Sequence, residues 1–224
     1  MKKLFILAIA LILIHSCKKE VNDPPDSVRD IDGNLYKTVT ISSQTWMAEN
    51  LRVSRYRDGT PIPGLVDNKE WSGAYTGKSS DYNYISDSLY GKLYNWYAVE
   101  ENAGHIISPK GWHMPTMQEW QALIDAMGSS YSAGGRLKDS LFWPKTNYYS
   151  GLKRSGFNAR PAGYRIYWGT FMDKGNSAYF WTSSISPYYQ YTMVAFFIDK
   201  STDNIDWIAM ERQNGLSVRC VKDR

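Results

Sequence analysis

The stretch that decides the fold is Gly111-Trp112-His113-Met114-Pro115-Thr116-Met117-Gln118-Glu119-Trp120. Thr116 and Glu119 have the spacing of a capping box, in which the Thr hydroxyl accepts the N–H three residues on and the Glu carboxylate accepts the Thr amide. Apolar residues then recur at helical spacing, and a glycine follows where helices commonly end. This pattern predicts a helix over 116–127, with Trp112 and Trp120 buried.

The N-terminus has the composition of a bacterial export signal. Met1-Lys2-Lys3 is basic, and the apolar run that follows, 4–14, is too short to span a bilayer. Residues 14–17, Ile-His-Ser-Cys, resemble a lipobox. This resemblance implies a signal peptide over 1–16, acylation of Cys17 and attachment to a membrane through that lipid. The alternative interpretation is an ordinary secretory signal with an incidental cysteine.

The mature chain is close to charge balance. Removal of Lys2 and Lys3 with the signal lowers the formal charge from +4 to +2, and no basic run stands out beyond residue 20. We therefore expect no nucleic-acid partner. Segment 17–29 is polar and contains Pro24-Pro25, which predicts a flexible tether that leads into one domain over 30–224.

The domain itself has the pattern of an α+β fold. Glycine and proline predict irregular loops over 55–78 and 129–151. Strands are predicted over 35–41, 45–51, 178–185, 191–199, 205–210 and 216–221, and a second short helix over 90–101. Strands at both ends of the domain indicate that its two ends lie together.

Nine motifs, in this order along the chain, resemble the Fibrobacter succinogenes major paralogous domain family. They occupy residues 30–39, 44–51, 90–97, 111–120, 134–138, 155–159, 161–165, 178–184 and 217–221, so the resemblance covers about residues 30–223. The family occurs in secreted and surface-attached bacterial proteins, often lipoproteins, and no activity is securely attached to it. The resemblance therefore implies a location in the cell envelope, anchored to the outer membrane.

The Gly-Trp-His-x-Pro-Thr-x-x-Glu-Trp element is also similar to an element of formylglycine-generating enzymes, which have a C-type-lectin-like fold. The resemblance implies that fold here: two short helices, a small twisted, mainly antiparallel sheet, and long irregular loops. Those enzymes use a pair of cysteines late in the domain. In this part of the chain only Cys220 is present, so their activity is not carried over.

Cys220 departs from the family pattern. The family commonly pairs this position with a cysteine before the Pro of its Pro-x-Gly-Trp-His element, and Ser108 stands there in this chain. A disulfide that the family pair would form is therefore absent. Leu216, Val218 and Cys220 alternate on one face of a predicted strand, which predicts a buried cysteine; the alternative is a reactive thiol.

Two places in the sequence carry side-chain types that can bind metal ions. His113 is expected to be a packing residue rather than a ligand, because no HExxH or CxxC spacing accompanies it. Asp199, Asp203 and Asp206 cluster around a predicted turn, and oxygen-rich loops of this kind hold Ca²⁺. They are calcium candidates, with a solvated acidic turn as the alternative, and no other cofactor is expected.

Aromatic residues in or beside loops are the remaining candidates for a ligand-binding site. Flat aromatic faces stack on ligands, and Tyr and Trp are favoured at interfaces. The alternative is that they fill the core of a loop-rich domain. The ligand-binding candidates are Trp143, Tyr164, Tyr167, Trp168, Tyr188 and Tyr189, accompanied by Tyr148, Tyr149 and Tyr191.

These observations favour a non-catalytic cell-envelope lipoprotein that serves as a binding module, for example in adhesion, for a glycan or a surface protein. One alternative is an enzyme that acts on envelope polysaccharide through a dispersed carboxylate site, for which Glu119, His113 and Asp173 are the first residues to test. The other is a structural lipoprotein in an envelope assembly.

Overall fold

The computed structural model describes residues 23–64, 67–85, 88–101, 105–143 and 154–224. The predicted signal peptide, Cys17, Tyr148 and Tyr149 lie outside these ranges. Within them, every helix is too short or too polar to cross a membrane.

The described residues form an α+β domain with few short helices and small antiparallel sheets, which confirms the predicted class. The helices are α1 (Asn68–Ser72), α2 (Trp96–Val99), α3 (Met117–Ala126) and α4 (Ser130–Leu137), with a 3₁₀ turn at Tyr82–Tyr84. The strands are β1 (Ser27–Arg29), β2 (Leu35–Ile41), β3 (Gln44–Met47), β4 (Ser79–Ser80), β5 (Leu93–Asn95), β6 (Trp112–His113), β7 (Tyr164–Arg165), β8 (Phe171–Met172), β9 (Ser177–Ile185), β10 (Thr192–Asp199), β11 (Asp206–Glu211), β12 (Gly215–Leu216) and β13 (Val221–Lys222).

Three sheets organise these strands. Their orders are β1-β2-β3-β13-β6, β11-β10-β9 and β4-β5-β12-β7-β8. The C-terminal strand β13 pairs with β3 and β6, in the sheet that also contains β1. The two ends of the domain therefore lie together, as predicted.

The central sheet, β11-β10-β9, separates two apolar cores. Side chains alternate across a strand, so each of its long strands supplies both cores. On one side lie Trp181, Met193 and Ala195. On the other lie Phe180, Val194 and Phe196. The described residues of both cores lie between 28 and 221, so a fragment over residues 23–224 retains all of them.

Helix α3 begins as the sequence predicts. The Glu119 amide donates to the Thr116 hydroxyl at 3.1 Å, and the Thr116 amide donates to the Glu119 carboxylate at 2.9 Å. The helix packs Trp120 onto the second core, where its ring lies 5.1 Å from that of Trp46. Trp120 is fully buried and Trp112 nearly so, which confirms their predicted place.

Three buried cationic side chains donate hydrogen bonds to the loops that connect the short strands. Arg165 and Arg219 are fully buried, and Lys138 is 1% exposed. Their donors reach backbone carbonyls of loop residues, for example from Arg165 to Gly169 and from Arg219 to Asn158, both at 2.9 Å. Buried carbonyls outside regular sheets need such donors. These cations therefore replace the sheet hydrogen bonds that the loops lack.

Several predicted elements were wrong in extent or type. The segment predicted as a helix over 90–101 contains strand β5 followed by the single turn α2. Because β5 pairs with β12, only the residues of α2 are helical in this segment. The loop over 129–151 contains α4, and the loop over 55–78 contains α1. Four helices rather than two are thus present in the described residues.

The remaining differences lie at the ends of the domain. The predicted tether, 17–29, includes β1, which pairs with β2 through Val28 and Tyr36. The strand over 216–221 is two short strands, β12 and β13, that belong to different sheets. Between them the chain passes Arg219, whose side chain donates hydrogen bonds to two other segments, 47–50 and 157–158.

Candidate functional site

Among the described residues, the most exposed aromatic cluster is the loop 186–191 between β9 and β10, which we call the tyrosine loop. Tyr188, Tyr189 and Tyr191 are 74%, 64% and 78% exposed. With Ile185, the loop borders a shallow concavity of about 520 Å³. The loop contains no acidic or basic residue. Its surface is therefore aromatic and neutral, with hydroxyl groups and one amide as polar atoms.

Hydrogen bonds fix the backbone of the tyrosine loop. The Ser186 hydroxyl accepts the amides of Tyr188 and Tyr189, each at 3.3 Å. The Ser186 amide donates to the Thr192 carbonyl, and the Thr192 amide donates to the Tyr189 carbonyl, each at 3.0 Å. Ser186 itself is buried. The loop is thus a closed turn that holds its tyrosine rings outward.

The tyrosine loop also rests on two neighbouring elements. The Tyr188 ring stacks on Trp207 of β11, with centroids 5.7 Å apart and planes inclined by 13°. At the end of β9, the Ser183 amide donates to the Pro115 carbonyl, and the Met117 amide donates to the Ser184 hydroxyl, both at 2.9 Å. The capped start of α3 therefore supports the strand that leads into the loop.

A second exposed pair, Tyr167 and Trp168, lies between β7 and β8. The two rings meet edge to face with centroids 4.6 Å apart, and each residue is nearly half exposed. The Tyr167 amide donates to the Asn214 side chain at 2.7 Å. No ring contact between described residues joins this pair to the tyrosine loop, so the two are separate patches.

The two other aromatic candidates are not exposed. Trp143 is 6% exposed; its indole N–H donates to the Ala159 carbonyl at 2.7 Å, and the Lys138 ammonium lies 4.8 Å from its ring centre. Tyr164 packs on Tyr179 at 4.8 Å, against the first core. Trp143 is therefore buried and Tyr164 is half-buried, and ligand contact by these two residues stays a prediction. The sequence did not single out Trp207, although its strand was predicted.

His113 lies between two carboxylates at the surface. Its Nδ1 is 2.6 Å from Asp223 and its Nε2 is 2.9 Å from Glu119. Burial lowers the pKa of His113, but the hydrogen bonds and charges of Asp223 and Glu119 outweigh it and raise the pKa overall. Glu119, whose burial works against ionisation, keeps a lowered pKa through Thr116 and His113. His113 thus ties the C-terminal strand to the start of α3.

The carboxylates of the acidic turn, at Asp199, Asp203 and Asp206, do not converge as a group of metal ligands. Within the described ranges, no group of three or more His, Cys, Asp or Glu side chains is arranged to hold a metal ion. Calcium binding by Asp199, Asp203 and Asp206 stays a prediction. The cation in this turn is Lys138, whose ammonium donates to the carbonyls of Asp199 and Thr202, both at 2.6 Å. Burial lowers the pKa of Lys138 to about 7, against the opposing charges of Asp203 and Asp199.

Cys220 is a fully buried free thiol in the first core, as its alternation with Leu216 and Val218 predicted. Burial raises its pKa well above the ordinary thiol value. The thiolate is the reactive form of cysteine, so this residue is a packing group.

Comparison with known families gives one match. The model of the Fibrobacter succinogenes major domain matches residues 39–222, most of the chain. Neither the curated proteins nor the solved structures give a match. Three of the motif positions, Lys138, Arg165 and Arg219, are the buried cations described above. The chain therefore belongs to the Fibrobacter succinogenes major domain family.

Proposed function

We propose that this protein is a non-catalytic binding module of the bacterial cell envelope and that its tyrosine loop contacts a glycan. The observation that supports this is the loop itself: three exposed tyrosines, without charge, on a hydrogen-bonded turn. Aromatic faces give a large apolar contact at low entropic cost, and phenol groups add hydrogen bonds. A neutral ligand with both C–H faces and hydroxyl groups fits this surface.

Preorganisation strengthens the proposal. A side chain that is mobile before binding loses conformational freedom when it contacts a ligand, and this loss weakens binding. The stacking of Tyr188 on Trp207 already orients one ring. The two hydrogen bonds to Ser186 already shape the backbone under Tyr188 and Tyr189.

The anchoring and the finer fold assignment are part of the same proposal. Acyl chains on Cys17, followed by a short polar tether, would hold the domain at the outer membrane. The α+β architecture, with both ends of the domain in one sheet and a recognition loop supported by the capped helix, would be a C-type-lectin-like fold. The sequence resemblances described above support both assignments.

A glycan array with residues 23–224 tests the binding site. Tyr188→Ala and Tyr189→Ala together should weaken binding of any glycan hit at least about tenfold, which corresponds to about 1.4 kcal/mol. The matched control is Tyr131→Ala, because Tyr131 is 78% exposed on α4 and lies outside the loop. Equal binding by the loop variant and the control would refute the assignment of the site.

Lipid anchoring needs a separate test. Cells that express the full chain should incorporate a labelled fatty acid into it, and Cys17→Ser should abolish the label and release the protein from the membrane fraction. Labelling that persists in Cys17→Ser would contradict the anchor.

A further inference from the structure

Strand β11 has an edge that no other described element covers. It pairs with β10 from Asp206 opposite Phe197 to Glu211 opposite Thr192. Among the backbone hydrogen bonds between described residues, none joins 206–210 to an element other than β10. The residues of β11 are exposed or half-buried except Met210.

The opposite edge of the same sheet is closed. The Trp181 amide of β9 donates to Ser217 and the Ser217 amide donates to Tyr179, both at 3.1 Å. The Gly163 amide donates to Ser177 at 2.9 Å. Among the described residues, only the β11 edge of the central sheet has backbone N–H and C=O groups left without a partner strand, and such groups form a template for a further strand.

The charges of β11 select among the strands that could add to it. Exposed carboxylates stand at its two ends, Asp206 and Glu211, and Trp207 and Ile208 lie between them. Antiparallel pairing of two copies in full register would place Asp206 opposite Glu211 of the second copy, twice. Like charges directly opposite each other destabilise a strand pair. The charge pattern therefore disfavours a second copy and favours a strand with basic residues at those positions.

We propose that the edge of β11 is a docking site for an extended segment of a partner protein, which adds to the sheet as a fourth strand and places basic residues opposite Asp206 and Glu211. The backbone hydrogen bonds of such a complex would supply affinity, and the two charge pairs would supply register. β-Branched residues between the basic positions would pack beside Trp207 and Ile208. Trp207 of this strand stacks on Tyr188 of the tyrosine loop, but the proposal concerns the backbone edge of β11 and does not depend on glycan binding.

Synthetic peptides test the proposal with residues 23–224. The first peptide carries two lysines five positions apart, the separation of Asp206 and Glu211, with alternating Thr and Val between them. The control carries glutamates instead of the lysines. Anisotropy of a labelled peptide should show at least about tenfold tighter binding of the lysine peptide. Asp206→Lys with Glu211→Lys should reverse this preference, and because both positions are exposed the variant should keep its fold.

Backbone pairing is tested by N-methylation. A strand bonds one neighbour through alternate residues, so methylation of one alternate set of peptide amides should abolish binding and methylation of the other set should leave it unchanged. Hydrogen exchange of amides in 206–211 should slow when the lysine peptide binds.

Three outcomes would overturn the proposal. They are equal affinity for the two peptides, equal effects of the two methylation sets, and protection of 206–211 that depends on protein concentration without peptide. The last would show that a second copy occupies the edge. Loss of peptide binding in Tyr189→Ala alone, which keeps the stacking of Tyr188 on Trp207, would likewise place the peptide on the tyrosine loop instead.

Discussion

Arg219→Met should lower the free energy of unfolding by about 4 kcal/mol. The buried guanidinium donates to the Asn50 side chain at 2.7 Å and to the carbonyls of Met47, at 3.0 Å, Phe157 and Asn158. Methionine fills a similar volume and donates no hydrogen bond. Four acceptors would lose their partner, and each unsatisfied buried group costs at least about 1 kcal/mol.

The cost of burying the Arg219 charge opposes the loss of these hydrogen bonds, and it has to be smaller than that loss for the prediction to hold. Burial lowers the pKa of Arg219 to about 9, which reflects the cost of placing a charge in the interior. Replacement of a buried charge by an apolar residue removes that cost and sometimes stabilises a protein. Here the ring of Phe157, 4.7 Å from the guanidinium carbon, offsets part of the cost. The acceptors also come from separate segments, so no single shift of the backbone would satisfy them all.

Urea denaturation of residues 23–224 measures the effect. Arg219→Lys should lower the free energy of unfolding less than Arg219→Met, because the lysine ammonium still donates hydrogen bonds to some of the acceptors. Arg224→Met is the matched control, since Arg224 is exposed at the C-terminus, and it should change stability by less than about 0.5 kcal/mol. A loss below about 1 kcal/mol for Arg219→Met, with an unchanged denaturant slope, would refute the reasoning and show that desolvation cancels the hydrogen bonds.

Three further predictions concern single side chains. Thr116→Ala removes the cap of α3 and should lower the free energy of unfolding in urea by about 1 kcal/mol while glycan binding stays intact; lost binding at unchanged stability would reveal a ligand contact. Because its folded pKa is raised, the stability that His113 contributes is fully present below its unfolded pKa of about 6.5 and is lost as pH rises through the folded pKa. Thermal denaturation across that pH range should show this fall in stability. If the fall persists in His113→Gln, a titratable group other than His113 causes it. Trp143→Ala should cost about 3–5 kcal/mol in urea denaturation, since Trp143 is buried; a value near zero would mean that the ring faces solvent.

Elements with strong local signals were predicted well from sequence. Strand β2 matches its predicted range, β9 and β10 differ by one residue at their starts, and the capping box of α3 is complete. These signals lie within a few residues and need no knowledge of the rest of the chain. Helix α4 was missed because Gly134 and Gly135 suggest a break. A Cβ on Gly134 would clash with the carbonyl of Asn204, so this glycine serves a close approach that only the folded chain contains.

The candidate site was harder to predict, since exposure depends on distant partners. Trp143 and Tyr188 are both aromatic residues of loops, and sequence gives no reason to separate them. In the fold, Trp143 covers the Lys138 ammonium and is buried, whereas Tyr188 stacks on Trp207 and stays exposed. The acidic turn shows the same limit: Lys138 is far from it in sequence and reaches it only through α4.

The capped helix start connects the scaffold of this domain to the strand that leads into the tyrosine loop. Motif residues such as Thr116, Lys138 and Arg219 form hydrogen bonds between their side chains and backbone atoms. These bonds hold loops that lie outside regular sheets. The tyrosine loop follows directly after the motif at 178–184 and is joined to the scaffold through the Ser183 amide and the Ser184 hydroxyl. Its exposed rings contribute little to either core. The aromatic residues of the loop are therefore the ones whose replacement should alter binding without cost to the fold.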